Sequence, residues 1–116
     1  MSTTKMNMVR DINGYVTFGL SDSNLKYSIA LRAADGPQSF TLPADSAFYE
    51  LNFSIAPGGA VWVSFNGQNA ETPVANTFTA TNSSLNPVGR RVPKNTVISV
   101  VTNDALVEVG IEIYAV

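Results

Sequence analysis

Between residues 47 and 67 the chain reads AFYELNFSIAPGGAVWVSFNG, and its apolar side chains fall on every second position. Ala47, Tyr49, Leu51, Phe53 and Ile55 share one parity, while Phe48, Glu50, Asn52 and Ser54 take the other. Successive side chains of a strand point to opposite faces, so a period of two predicts a β-strand with one apolar face and one mostly polar face. Ala56-Pro57-Gly58-Gly59 interrupts the run, because proline cannot extend a ladder freely and glycine reaches the backbone angles a turn needs. Val61, Val63 and Phe65 resume the alternation, and Asn66-Gly67 ends it with a hairpin signal. This central pair of strands dictates a β-domain.

The rest of the chain repeats the theme in shorter pieces. Residues 1–8 are polar and rich in methionine, and read either as a frayed end or as an extended arm that lies on a neighbouring subunit, with Met6 and Met8 in contact. Val9–Ile12 predicts a short strand, Asn13-Gly14 a turn, and Tyr15–Leu20 a strand with Val16, Phe18 and Leu20 on one side. Leu25–Ala33 follows, with Leu25, Tyr27, Ile29, Leu31 and Ala33 inward. Phe40 and Leu42 mark a short strand before Pro43. Gln68–Asn76 reads as a loop, Thr77–Thr81 as a short β-branched strand, and Asn82–Pro87 as irregular. Val88–Val92 is a strand stopped by Pro93. Thr96–Thr102 is almost wholly apolar or β-branched, as expected of a strand buried on both faces. Leu106–Val116 places Val107, Val109, Ile111 and Ile113 inward and Glu108, Gly110, Glu112 and Tyr114 outward. No window shows a helical apolar stripe. Eight or so short strands at intervals near ten residues predict an all-β, antiparallel β-sandwich of jelly-roll or Greek-key type, spanning residues 9–116 behind the short N-terminal arm.

Chemistry is hard to find in these residues. With 116 residues the chain is one domain, and it contains neither histidine nor cysteine. The commonest general base, the commonest metal ligand and the thiolate nucleophile are therefore missing. No serine stands in a G-x-S-x-G elbow, and there is no phosphate-binding glycine motif. Glu108 and Glu112 share a face, but four residues of strand at about 3.4 Å each hold their backbones roughly 13 Å apart, wider than a glycosidase pair. They read as solvated charges. Asp22, Asn24 and Asp45 lack any calcium-loop spacing and read as loop polarity. The sequons at Asn52 and Asn82 read as chance, since the N-terminal residues lack the apolar core of a secretion signal. No catalytic residue, metal or cofactor is expected.

Composition bears on partners instead. Charged residues make up 14% of the chain and the net charge is −2, which is not the basic footprint of a nucleic-acid binder. No apolar run is long enough to span a bilayer as a helix. A surface poor in charge suits a permanent protein contact, because interfaces lose charge at their centres. Trp62 lies on the parity opposite Val61 and Val63. It is either covered by a loop of its own domain or serves as an interface anchor or sugar-stacking platform. Arg90-Arg91 is the only basic doublet; one arginine is expected to pair within the domain and the other to reach a partner carboxylate.

The stretches AVWVSFNG (60–67), NTFTATNSSLNPVGRRVPKNTVISVVTND (76–104) and VGIEIYAV (109–116) resemble small virion structural proteins of tailed bacteriophages, the β-sandwich subunits that decorate or cement a capsid. The resemblance covers the C-terminal half better than the N-terminal half and is a pattern of strands and turns. It implies a non-enzymatic subunit, a dimer or trimer bound to the major capsid protein or another virion protein and assembled in the host cytoplasm. Trp62, Arg90, Arg91, Met6 and Met8 are then the candidate contacts. The alternative is a carbohydrate- or receptor-binding module of a phage tail, neck or fibre, for which Trp62, Tyr49, Asn52 and Asn66 are the residues to consider.

Overall fold

The structure, a computed structural model, describes residue 23 and residues 25–116. These contain eight strands: β1 (Leu25–Leu31), β2 (Gln38–Thr41), β3 (Phe48–Ile55), β4 (Val61–Ser64), β5 (Ser83–Leu85), β6 (Gly89–Pro93), β7 (Val97–Thr102) and β8 (Val107–Ala115). The predicted arm over residues 1–8, with Met6 and Met8, and the predicted strands Val9–Ile12 and Tyr15–Leu20 lie outside the described residues. Among the described residues no helix is long and apolar enough to cross a membrane.

The strands form two four-stranded antiparallel sheets. Sheet 1 has the order β1-β8-β3-β6 and sheet 2 the order β2-β7-β4-β5. The pairing has a simple logic. β1 pairs with β8, β2 with β7, β3 with β6 and β4 with β5. The first four strands thus run back along the last four as one long hairpin, whose tip is the connection between β4 and β5. Two further pairings, β3 with β8 and β4 with β7, roll that hairpin into two layers.

One core serves both layers. Leu31, Tyr49, Leu51, Val92, Val107, Val109, Ile111 and Ile113 enter it from sheet 1, and Val61, Val63, Ile98 and Val100 from sheet 2. Alternation alone dictates this along β8, where the four aliphatic residues are buried and Glu108 between them is exposed. β7 is buried along nearly its whole length, as its apolar composition predicts. Leu42, just beyond β2, is also fully buried.

Several expectations are corrected. The residues on either side of Pro57 do not pair with each other: β3 belongs to sheet 1 and β4 to sheet 2, so the turn at 56–59 crosses between layers. Gly58 there has φ +80, and a Cβ on Gly59 would stand 2.8 Å from Val107 Cγ1, so the crossing demands the second glycine for space. Three hydrogen bonds lock this crossing. Thr102 Oγ1 donates to Ala60 O at 2.7 Å, Asp104 N donates to Thr102 Oγ1 at 3.0 Å, and Ala60 N donates to Asp104 Oδ2 at 2.9 Å. Asn66-Gly67 does not make a tight hairpin either. Asn66 Oδ1 accepts from Ser64 Oγ and Gln68 N, starting a connection that runs over residues 65–82.

Thr77–Thr81 is not a strand, and residues 73–81 are exposed throughout. Their β-branched side chains have no neighbouring strand to pack against, and that packing is most of what β-propensity measures. The segment read as irregular instead holds β5, which β4 recruits through Trp62↔Leu85, Val63↔Ser84 and Ser64↔Ser83. β1 stops at Leu31 and Ala33 enters an exposed 3₁₀ turn rather than the core. Ala47 is exposed just before β3. Tyr27 is 37% exposed, and it stacks on Phe40 at 4.5 Å where β1 and β2 approach at the open side of the two layers.

Candidate interaction surface

The two sheets present different outer faces. Lys26, Glu50, Arg90, Arg91, Glu108 and Glu112 all belong to strands of sheet 1. The strands of sheet 2 read QSFT, VWVS, SSL and VISVVT and contain no charged residue. Charge on the outside of a sheet keeps that face in water, and its absence is the compositional mark of an interface centre.

Sheet 2 is partly covered by its own chain. The first part of the 65–82 connection folds back over the face: Ala70 N donates to the buried Ser99 Oγ at 2.9 Å, and Glu71 N donates to Ser83 Oγ at 2.9 Å. Ala70, Ser64, Ser99 and Val101 are consequently buried although the last three point away from the core. Trp62 stands between Val101 and Leu85 in the register and is half-buried, so the loop and the neighbouring strands cover part of it and leave part open.

Beyond Glu71 the chain leaves this face. From residue 72 to residue 89 it carries no charged side chain. Val74, Phe78, Leu85 and Val88 are all exposed within this run, and Phe78 at 108% is as open to water as it would be in an isolated peptide. Within the β4–β5 connection the sequence predicts a loop over Gln68–Asn76, which holds Val74, and a short strand over Thr77–Thr81, which holds Phe78, and neither residue is singled out by type. The signal that finds them is the eighteen-residue charge gap itself.

The arginine doublet divides by parity. Arg90 lies opposite Leu51, on the inward side of edge strand β6. At that edge a long side chain can leave the core, and its guanidinium sits 5.6 Å over the ring of Phe65, which meets Phe53 edge-on at 5.8 Å. Arg90 thus caps the side of the core, binding a ring where a carboxylate was expected. Arg91 faces outward, opposite Glu50 across the β3–β6 pair, and is exposed. It lies on sheet 1, away from the outward-facing side of Trp62, so the structure does not bring the three candidate contacts together.

The other candidate groups also separate. Glu112 accepts a hydrogen bond from Tyr114 Oη at 2.8 Å, while Glu108 borders a shallow depression of about 580 Å³ floored by Gly110 between Ser28 and Ser54. Tyr49 is buried and accepts from Ser46 N through its Oη at 2.9 Å; Asn52 is on sheet 1 and Trp62 on sheet 2, so these do not make one sugar-binding platform. Asp45 is exposed, and Asp22 and Asn24 lie outside the described residues. Among the described residues no three His, Cys, Asp or Glu side chains gather as a metal site. Among the described residues an exposed ion pair joins Arg32 Nε to Asp35 Oδ2 at 2.9 Å; this hydrogen bond, with the attraction of the carboxylate charge, raises the arginine pKa above its ordinary value.

No protein family, curated protein or solved structure matches this chain.

Proposed function

We propose that this chain is a non-enzymatic structural subunit of a virion, a jelly-roll-type β-sandwich that attaches to a larger protein shell, such as one built by a major capsid protein, and stabilises it. The observation that carries the reading is the segregation of charge: the outward strand positions of sheet 1 hold Lys26, Glu50, Arg91, Glu108 and Glu112, and those of sheet 2 hold no charged residue. A subunit lying flat on a shell needs such a difference, with a water-facing side and a side whose desolvation costs little. The rolled long hairpin supports the finer fold, since paired strands 1 with 8, 2 with 7, 3 with 6 and 4 with 5 are the connectivity of a double-sheet jelly roll, an architecture that capsid domains use. The absence of histidine and cysteine from the whole sequence also favours a role without reaction chemistry, and a net charge of −2 argues against nucleic acid as the partner.

Attachment stabilises a shell by mass action: a ligand that binds the closed lattice and not the ruptured one raises the free energy of rupture. Electron microscopy of particles with and without the chain tests this. The expected result is regular added density on the shell and a higher rupture temperature. Particles that gain neither density nor heat resistance at saturating subunit would end the reading.

A further inference from the structure

We propose that residues 72–89, with Phe78 at their exposed tip, form the surface through which two copies of this chain join. The contact joins two copies of this chain and can form with no shell present. Three independent features of the run lead to it. First, the β4–β5 connection to which it belongs spans residues 65–82. Loops beyond about 12–15 residues are uncommon in compact domains and usually functional. Second, that connection is tied down at its two ends, by the bonds of Ala70 and Glu71 and by Asn82 Nδ2, which donates to Asn69 O at 3.2 Å, whereas residues 73–81 between them are exposed without interruption. A fully exposed phenylalanine on such a projection is an aromatic anchor without its pocket.

The third feature selects the occupant. In a two-fold contact the same patch meets its own image. A lysine or arginine, which only donates, or a carboxylate, which only accepts, cannot satisfy its own copy and repels it. Residues 72–89 contain neither kind; their polar side chains are Ser and Thr hydroxyls and Asn amides. Each of these both donates and accepts, so each can hydrogen-bond to an identical group facing it. Apolar Val74, Phe78, Leu85 and Val88 supply the area. A stable contact uses about 20–30 residues a side, and the exposed residues of this run provide about half of them.

Sedimentation equilibrium on the purified chain alone, over a wide concentration range, tests the proposal. A reversible dimer is expected. Phe78→Ser raises its dissociation constant by at least about tenfold, as loss of an aromatic anchor does. Leu106→Ser, at an exposed apolar residue after β7, leaves it unchanged. Thr79→Glu and Thr79→Lys each weaken self-association, and mixing the two variants restores it. A chain that stays monomeric at every concentration, or an association that neither Phe78→Ser nor Thr79→Glu weakens, overturns the proposal. Because no shell is present, this outcome is separate from the result of particle binding.

Discussion

Sheet 1 and sheet 2 contribute to the same core with the same kinds of side chain, yet one is charged on its outside and the other is not. In sheet 1 the outward positions hold Lys26, Glu50, Arg91, Glu108 and Glu112, set among small residues such as Ser28, Ser54 and Gly110. In sheet 2 they hold Ser39, Thr41, Val97, Ser99, Val101, Trp62, Ser64 and Leu85. The inward face determines whether the domain folds, while the outward face is free to be set by what it meets. The difference in charge at the outward positions therefore does not imply unlike contributions to stability.

The sharpest way to break this comparison is to show that the two layers are not equal partners in the core. Leu51→Ala in sheet 1 and Ile98→Ala in sheet 2 each remove a side chain with no exposed surface, and each is expected to cost about 2–5 kcal/mol in urea unfolding. A large loss at one and little at the other would mean that one sheet is peripheral. Next in size is Gly59→Ala at the crossing between layers. Its new methyl collides with Val107 and with Ala56 O at 3.1 Å, for an expected loss of about 1–3 kcal/mol in the same measurement.

Ser99→Ala tests the cover over sheet 2. It strands the Ala70 amide, which the buried hydroxyl now accepts, and is expected to cost about 1–2 kcal/mol. It should also speed hydrogen exchange at Ala70 and Glu71 while sheet 1 amides keep their protection relative to global stability. Smallest of all is Arg91→Ser on the exposed face of sheet 1, expected to change stability by no more than about 0.5 kcal/mol. A thermal melt that moved by several degrees would show that the charged face does more than stay wet.

Much of the fold was legible in the residues because each strand writes its own period of two. β8 could be read position by position from Val107 to Ile113, and β7 from its unbroken apolar run. The sorting of strands into layers could not, since pairings such as β1 with β8 and β3 with β6 join segments that carry no mark of each other. That is why Ala56–Gly59 read as a turn inside one pair of strands when it is a passage between sheets. The loop around Phe78 misread for the opposite reason: its threonines look like strand residues, and only the absence of a neighbour prevents them from being so. Of the candidate contacts, Trp62 was identifiable by type and parity. Arg90 was identifiable as unusual, but its ring partner Phe65 is remote in sequence. The charge-free sheet became visible only after four separate segments, each unremarkable alone, were placed side by side.

The position of β8 has a consequence for how the protein is made. It is the last synthesised of the eight strands, yet it lies between β1 and β3 in sheet 1. Until it emerges, the first and third strands have no common neighbour, and the layer that keeps the molecule in water exists only as unjoined pieces. Nearly every pairing spans a long stretch of chain, a topology that folds slowly, on the scale of about milliseconds to seconds. Sheet 1 therefore keeps open edges on β1 and β3 until β8 has been made, and only then can its four strands join.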